Sequence, residues 1–145
     1  MTKLSKLEEI QDLREIWPHE AREFTPWLAQ DDNIKLLGDA IGLDIEVEET
    51  KSSVCGFSVD IYASEEGSER KIIIENQLEE TNHDQLGKLI TYASGKSADV
   101  LIWIVKKLGK NIELRLNGST ITQMKALTSF CVKSNYIAST IQILL

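Results

Sequence analysis

The sequence has few cysteines and no long apolar segment, and both absences limit what the protein can be. Only two of its 145 residues are cysteines, Cys55 and Cys131, and their spacing fits neither a metal site nor a disulfide framework. No apolar run approaches the ~20 residues of a membrane span, and the N-terminal stretch has no apolar core typical of secretory signals. We therefore expect a reduced, cytoplasmic protein without a membrane partner.

Positive charge is also scarce, and it is unevenly distributed. The chain carries 16 Lys and Arg against 23 Asp and Glu, for a formal net charge of -7. Residues 108–145 hold four basic residues and one acid, a balance of +3, so residues 1–107 carry the other -10. A chain this acidic does not bind nucleic acid by bulk electrostatics. Chemistry on nucleic acid would therefore require a site that recruits a cation.

Hydrophobic periodicity predicts an α/β core. Thr25 and Pro26 indicate a helix start with Thr25 as the N-cap, and a short amphipathic helix from Ile34 should stop near Gly42. Strands are expected near 43–50, 55–63, 70–77 and 99–105, with a helix near 82–94. A meander of three strands, a helical crossover and a fourth strand would form one mixed sheet.

Two carboxylates stand near the ends of neighbouring predicted strands. Asp60 lies near the end of the second predicted strand, while Glu75 and Gln77 lie two apart on the third and share a face. If these strands pair through the turn at Gly67, Asp60 lies across from Glu75. Paired carboxylates on a buried sheet are costly unless a cation neutralises them, and Mg²⁺ accepts one or two carboxylates while keeping water for a phosphate. The alternative is that both are solvated residues at strand ends.

These residues carry a resemblance to a known group of enzymes. Asp60, fourteen intervening residues and then Glu75-x-Gln77, within this element order, resemble the PD-(D/E)XK nuclease superfamily. Over about residues 4–107 the chain is similar to an uncharacterised prokaryotic family of that superfamily, most specifically in the segment IIIENQLEETNHDQLGKLITYASG. The resemblance implies a restriction-endonuclease-like fold with a mixed central sheet. It also implies metal-dependent cleavage of nucleic acid, with DNA favoured over RNA but not decided. Nucleases of this superfamily often dimerise, so a homodimer is expected.

The resemblance further implies catalytic and metal-binding roles. Asp60 and Glu75 would hold Mg²⁺, with Mn²⁺ as a substitute, and Asp39 on the first helix would add a ligand or hold a water. The third motif position normally carries lysine, but here it is Gln77, which can orient a water and brings no charge. Lys88, on the following helix, could restore that charge; the alternative is an exposed helix lysine.

The same helix and the segment before the first helix offer further candidates. The superfamily often has a Gln-xxx-Tyr pair here, and Lys88 takes its glutamine position, four residues before Tyr92. Gln85 and Tyr92 would then contact substrate. For Asp39 the alternative is a solvated helix residue. The segment WPHEAREF adds polar groups that either lie near the site or stabilise the fold, namely His19, Glu20 and Arg22.

The chain changes character after Lys107. Residues 108–145 contain eight Ser and Thr and one acid, and their apolar pattern is irregular. The resembling family continues with a segment of the type AIEWLNxHTDE, and one permitted back-translation of residues 116–123, read one nucleotide out of step, gives EWLNNHT. We therefore interpret 1–107 as a nuclease-like domain and 108–145 as an out-of-frame continuation. The alternative is a divergent C-terminal subdomain.

Three hypotheses about the protein follow from these observations. The first is a metal-dependent nuclease, as endonuclease or exonuclease. The second is a catalytically inactive module of the same fold that binds nucleic acid or protein, which Gln77 and the acidic charge favour. The third is a damaged product of a shifted gene.

Overall fold

Six strands form one mixed sheet within the part of the chain that the structure describes. The computed structural model describes residues 14, 16–54, 57–80, 84, 87–89, 91, 98–107, 124–127 and 140–144. A π-helical turn (Glu20–Phe24) leads into helices α1 (Thr25–Leu28) and α2 (Asp31–Ile41). The strands are β1 (Ile45–Val54), β2 (Phe57–Glu65), β3 (Lys71–Glu80), β4 (Val100–Lys107), β5 (Met124–Leu127) and β6 (Thr140–Leu144). Between β3 and β4, residues 84, 87–89 and 91 are helical, and we call them the crossover helix.

The strand order is β1-β2-β3-β4-β6-β5. Strands β1, β2 and β3 pair antiparallel, and β4 runs parallel to β3. The prediction that the first four strands form one mixed sheet is therefore confirmed, and the fold class is α/β. Strand β1 extends past the predicted end at residue 50, because its pairing with β2 continues to Val54 opposite Phe57.

The core lies between one sheet face and the helices. Alternate residues of β2, β3 and β4 are buried there, and in the register Ile74 lies between Ile61 and Ile102. Leu28 of α1 and Leu37 of α2 cover them and have no exposed surface. Burial of one such aliphatic side chain contributes about 1.5–3 kcal/mol. The core therefore fixes the central strands on which the candidate site residues stand.

The helical layer begins earlier than predicted. Residues from Glu20 onward are already helical, and the backbone N–H of Thr25 donates to the Glu20 carbonyl. The prediction of Thr25 as an N-cap is therefore wrong. Its hydroxyl oxygen instead accepts a hydrogen bond from Asn76 Nδ2 at 3.0 Å, which ties the helical layer to β3. The predicted end of α2 is confirmed, with Gly42 in the left-handed conformation at φ 77°.

Part of the C-terminal region continues the sheet. Strand β6 pairs antiparallel with β4, and β5 pairs with β6. Residues 108–123, 128–139 and 145 lie outside the described residues. The out-of-frame origin of 108–145 stays a prediction, as does the division of the chain at Lys107.

Gly38 allows α2 to pack against the start of β1. A Cβ at this position would overlap the Leu43 carbonyl oxygen. The Gly38 carbonyl also accepts the N–H groups of Gly42 at 2.8 Å and Leu43 at 3.0 Å. The chain therefore turns directly over Gly38 before entering β1, and no side chain fits between.

We expect Gly38→Ala to lower the free energy of unfolding by about 1–3 kcal/mol, because the methyl group displaces backbone and not a flexible side chain. Gly87→Ala is the matched control, since a Cβ there meets nothing within 4 Å and alanine favours the helix. Urea unfolding followed by circular dichroism measures both. Equal midpoints for the two variants would contradict the account of this turn.

Candidate functional site

Strands β2 and β3 separate where the two predicted carboxylates lie. Their register covers only four residue pairs, ending at Ile61 opposite Ile74, although β2 begins at Phe57 and β3 continues to Glu80. Over the same stretch β1 stays paired with β2, and β4 stays paired with β3. The sheet thus opens into two arms, β1–β2 and β3–β4. We call this opening the fork.

Carboxylate oxygens replace backbone carbonyls at the start of the fork. The backbone N–H of Asp60 donates to Glu75 Oε1 at 3.2 Å, and the backbone N–H of Asn76 donates to Asp60 Oδ2 at 3.0 Å. Each carboxyl group therefore binds the strand that carries the other. The structure brings Asp60 and Glu75 together across the two strands, as their spacing around the Gly67 turn predicts.

Burial makes this pair costly to ionise. Desolvation raises the pKa of Asp60, although the Asn76 N–H and the positive charge of Lys51 oppose the rise. Desolvation, then the neighbouring Asp60 charge, raises the pKa of Glu75 from 4.5 to about 9, and Glu20 adds to the same direction. In the metal-free protein at neutral pH, Glu75 therefore holds a proton beside Asp60. A cation that binds here would displace it.

The pair opens into a cavity of about 230 Å³. Gln77, 6% exposed, and exposed Lys88 both line it, so the structure brings these two predicted residues to the carboxylates. Leu89 and Trp103 form an apolar wall and are buried. An apolar wall lowers the local dielectric constant and strengthens charge interactions inside the cavity.

The acidic residue contributed by the first helices is not the one predicted. Asp39 lines a separate cavity of about 480 Å³ with Asp44 and Glu46, because α2 lies over the start of β1. The structure does not bring Asp39 to Asp60 and Glu75, which corrects the prediction of a shared metal site. Glu20, from the π-helical turn, lines the fork cavity instead. The segment WPHEAREF marked it only as a polar candidate.

The predicted substrate-binding residues Gln85 and Tyr92 lie outside the described residues, and their role stays a prediction. Among the residues that the structure describes, no three His, Cys, Asp or Glu side chains are grouped to hold a metal ion by themselves. The donor set suits Mg²⁺ nonetheless, since this ion is usually bound through one or two carboxylates and keeps several waters.

No family model matches the chain, and no curated protein or solved structure is similar enough to count as a match. Within the described part of the chain, no helix combines the length and apolar character needed to cross a bilayer.

The raised pKa of Glu75 predicts a pH-dependent stability. The unfolded chain releases this proton near pH 4.5 and the folded protein near 9, so stability falls as pH rises through that window. Glu75→Gln removes the titration and keeps a donor toward Asp60. We expect it to raise the free energy of unfolding at pH 8 by roughly 1–3 kcal/mol and to flatten the pH profile.

Urea unfolding of the metal-free protein at several pH values measures this effect. Glu66→Gln is the matched control, because Glu66 is an exposed carboxylate in the β2–β3 turn. A Glu75→Gln variant that is no more stable than the parent at pH 8, with the same pH profile, would show that Glu75 ionises normally.

Proposed function

We propose that this chain is a divalent-cation-dependent nuclease domain of the PD-(D/E)XK type, built on a restriction-endonuclease-like core. The observation that carries the proposal is the fork, where carboxyl groups from adjacent strands meet at a cavity. Desolvation raises the pKa of both carboxyl groups, so a bound cation would stabilise their ionised forms. The element order supports it, since helices, a three-stranded meander, a crossover helix and a parallel strand follow one another.

Asp60 and Glu75 would hold Mg²⁺, or Mn²⁺ in its place, with the Glu20 carboxylate close by. The bound cation supplies Lewis-acid polarisation of a phosphate and a lowered pKa for water. Gln77 orients a water through its amide group, which cannot take up a proton. Lys88 places positive charge beside the negative charge that develops on the phosphate.

Nucleic acid is the proposed partner, with DNA preferred to RNA and a cytoplasmic setting. Residues 1–107 carry a net charge of -10, so a phosphate chain is attracted only where cations gather. The cation at the fork and Lys88 provide such a place. A homodimer would present two such sites to a duplex.

A second candidate is a module of the same fold that binds nucleic acid or protein without cutting. The observation that favours it is Gln77, which is buried at 6% exposure and brings no charge to the position where the superfamily usually has lysine. The two candidates differ in whether bond cleavage accompanies binding.

Cleavage assays with the full chain distinguish them. With Mn²⁺ or Mg²⁺, plasmid DNA and single-stranded RNA are the substrates, and EDTA should abolish activity. We expect Asp60→Asn and Glu75→Gln to lower the rate by about 100-fold or more, because each removes a charged cation ligand. Gln77→Ala should cost about 10- to 1000-fold. Asp44→Asn, an exposed carboxylate at the other cavity, is the matched control and should cleave normally.

Two further variants test where the positive charge resides. A loss in Lys88→Ala as large as that in Glu75→Gln assigns the charge to the crossover helix, whereas an unchanged rate makes Lys88 a surface lysine. Gln77→Lys restores the usual superfamily charge and should raise the rate. Cleavage that survives EDTA, or full activity in Glu75→Gln, contradicts the nuclease proposal. Cation binding without cleavage of either substrate favours the second candidate.

A further inference from the structure

Lys51 has an unusual backbone conformation next to the fork. Its φ of 56° is the only positive value at a described non-glycine residue. The neighbouring pairs Thr50–Ile61 and Ser52–Val59 keep normal register, so Lys51 stands opposite Asp60 on the adjoining strand. Lysine enters the left-handed region at a steric cost that asparagine or glycine largely avoids. Strained residues of this kind cluster at ligand-binding sites.

The charge of Lys51 is available to a ligand. By comparison, Lys71 of β3 forms an ion pair with Glu48 of β1 at 3.1 Å. For Lys51, which is exposed, no ion pair is found within the described ranges. Its charge nevertheless reaches the fork, because it opposes the rise in the pKa of Asp60.

Lys51 and Lys88 reach the fork from two different elements. Lys51 belongs to β1 and stands opposite Asp60 of β2, whereas Lys88 comes from the crossover helix and lines the cavity together with Glu75 of β3 and Trp103 of β4. A phosphate chain that crosses the fork would otherwise meet carboxylates on both sides. Two flanking ammonium groups offset that repulsion, and lysine is a common phosphate ligand.

We propose that Lys51 is a substrate-binding residue that holds a phosphate group of a nucleic-acid strand on the β1 side of the fork. The strand would then run across the carboxyl pair from Lys51 to Lys88. This inference rests on the proposed nuclease function, and it names the contact that positions the substrate. The proposal also explains why a lysine occupies this left-handed position. Its charge is needed to bind phosphate, although asparagine or glycine would adopt the backbone conformation more easily.

Steady-state cleavage of a labelled 20-base-pair DNA duplex with Mn²⁺ tests the inference. Lys51→Asn should raise KM about tenfold and change kcat by less than about threefold, because it removes a binding contact remote from the reacting atoms. Mn²⁺ should bind the variant about two- to tenfold more tightly, because a positive charge near the site is lost. Added salt should reduce the difference in KM between Lys51→Asn and the parent protein, because salt screens the charge of Lys51.

The control variants separate charge, backbone and bulk effects. Lys51→Arg keeps the charge and should keep KM, and Lys35→Gln removes one lysine at the other cavity and should change neither constant. Thermal unfolding of Lys51→Asn should match or exceed that of the parent, since asparagine tolerates the left-handed region. Poor folding therefore cannot account for its raised KM.

Distinct outcomes overturn the two proposals. A parental KM and Mn²⁺ affinity in Lys51→Asn, with the parent cleaving normally, overturn the role of Lys51 alone. Equal KM changes in Lys51→Asn and Lys35→Gln would show that only the net charge of the protein matters, which also overturns a specific role for Lys51. A parent protein that neither binds Mn²⁺ nor cleaves the duplex overturns the proposed function, and the inference falls with it.

Discussion

The site depends on an exchange of hydrogen-bond partners between two strands. Beyond Ile61 and Ile74, the N–H groups of Asp60 and Asn76 donate to carboxylate oxygens and no longer to carbonyls of the facing strand. A buried N–H group without a partner is costly, so an opening in the sheet must supply one. The carboxyl groups fill that requirement and are themselves held in place by it. The two carboxyl groups therefore lie at the point where β2 and β3 separate, and the same hydrogen bonds hold both the opening and the site in place.

The residue between the two site residues of β3 connects the fork to the helices. Side chains alternate along a strand, so Glu75 and Gln77 share one face and Asn76 points to the other. Asn76 is 4% exposed and donates to the Thr25 hydroxyl oxygen, and the Thr25 N–H in turn donates to the Glu20 carbonyl. The same short stretch of β3 therefore positions the Glu75 carboxylate and the Gln77 amide on one face and anchors the helical turn that carries Glu20 on the other.

The sequence predicts the sheet better than it predicts the full set of site residues. Strand alternation, the apolar run before Glu75 and the turn at Gly67 suffice to place Asp60 across from Glu75. Whether Asp39 or Glu20 lines the fork cavity depends on how the helices pack on the sheet, and local hydrophobic periodicity does not predict that packing. Lys51 is not predicted from the sequence for a related reason. Alternation of side chains with a period of two residues assumes an extended backbone, whereas the φ of Lys51 is 56°. Thr25 satisfies the capping pattern, but tertiary contact with Asn76 uses its hydroxyl.

The proposed cation site depends on two buried carboxyl groups that the fork places together, with a proton on Glu75 that a bound cation would displace. Titration of the Glu75 side-chain carboxyl by ¹³C NMR tests this most directly, first in metal-free protein and then with Mg²⁺. The account predicts a midpoint close to 9 without metal and a carboxylate already ionised at neutral pH once Mg²⁺ is bound. A midpoint near 4.5 in the metal-free protein, unchanged by Mg²⁺, would contradict it.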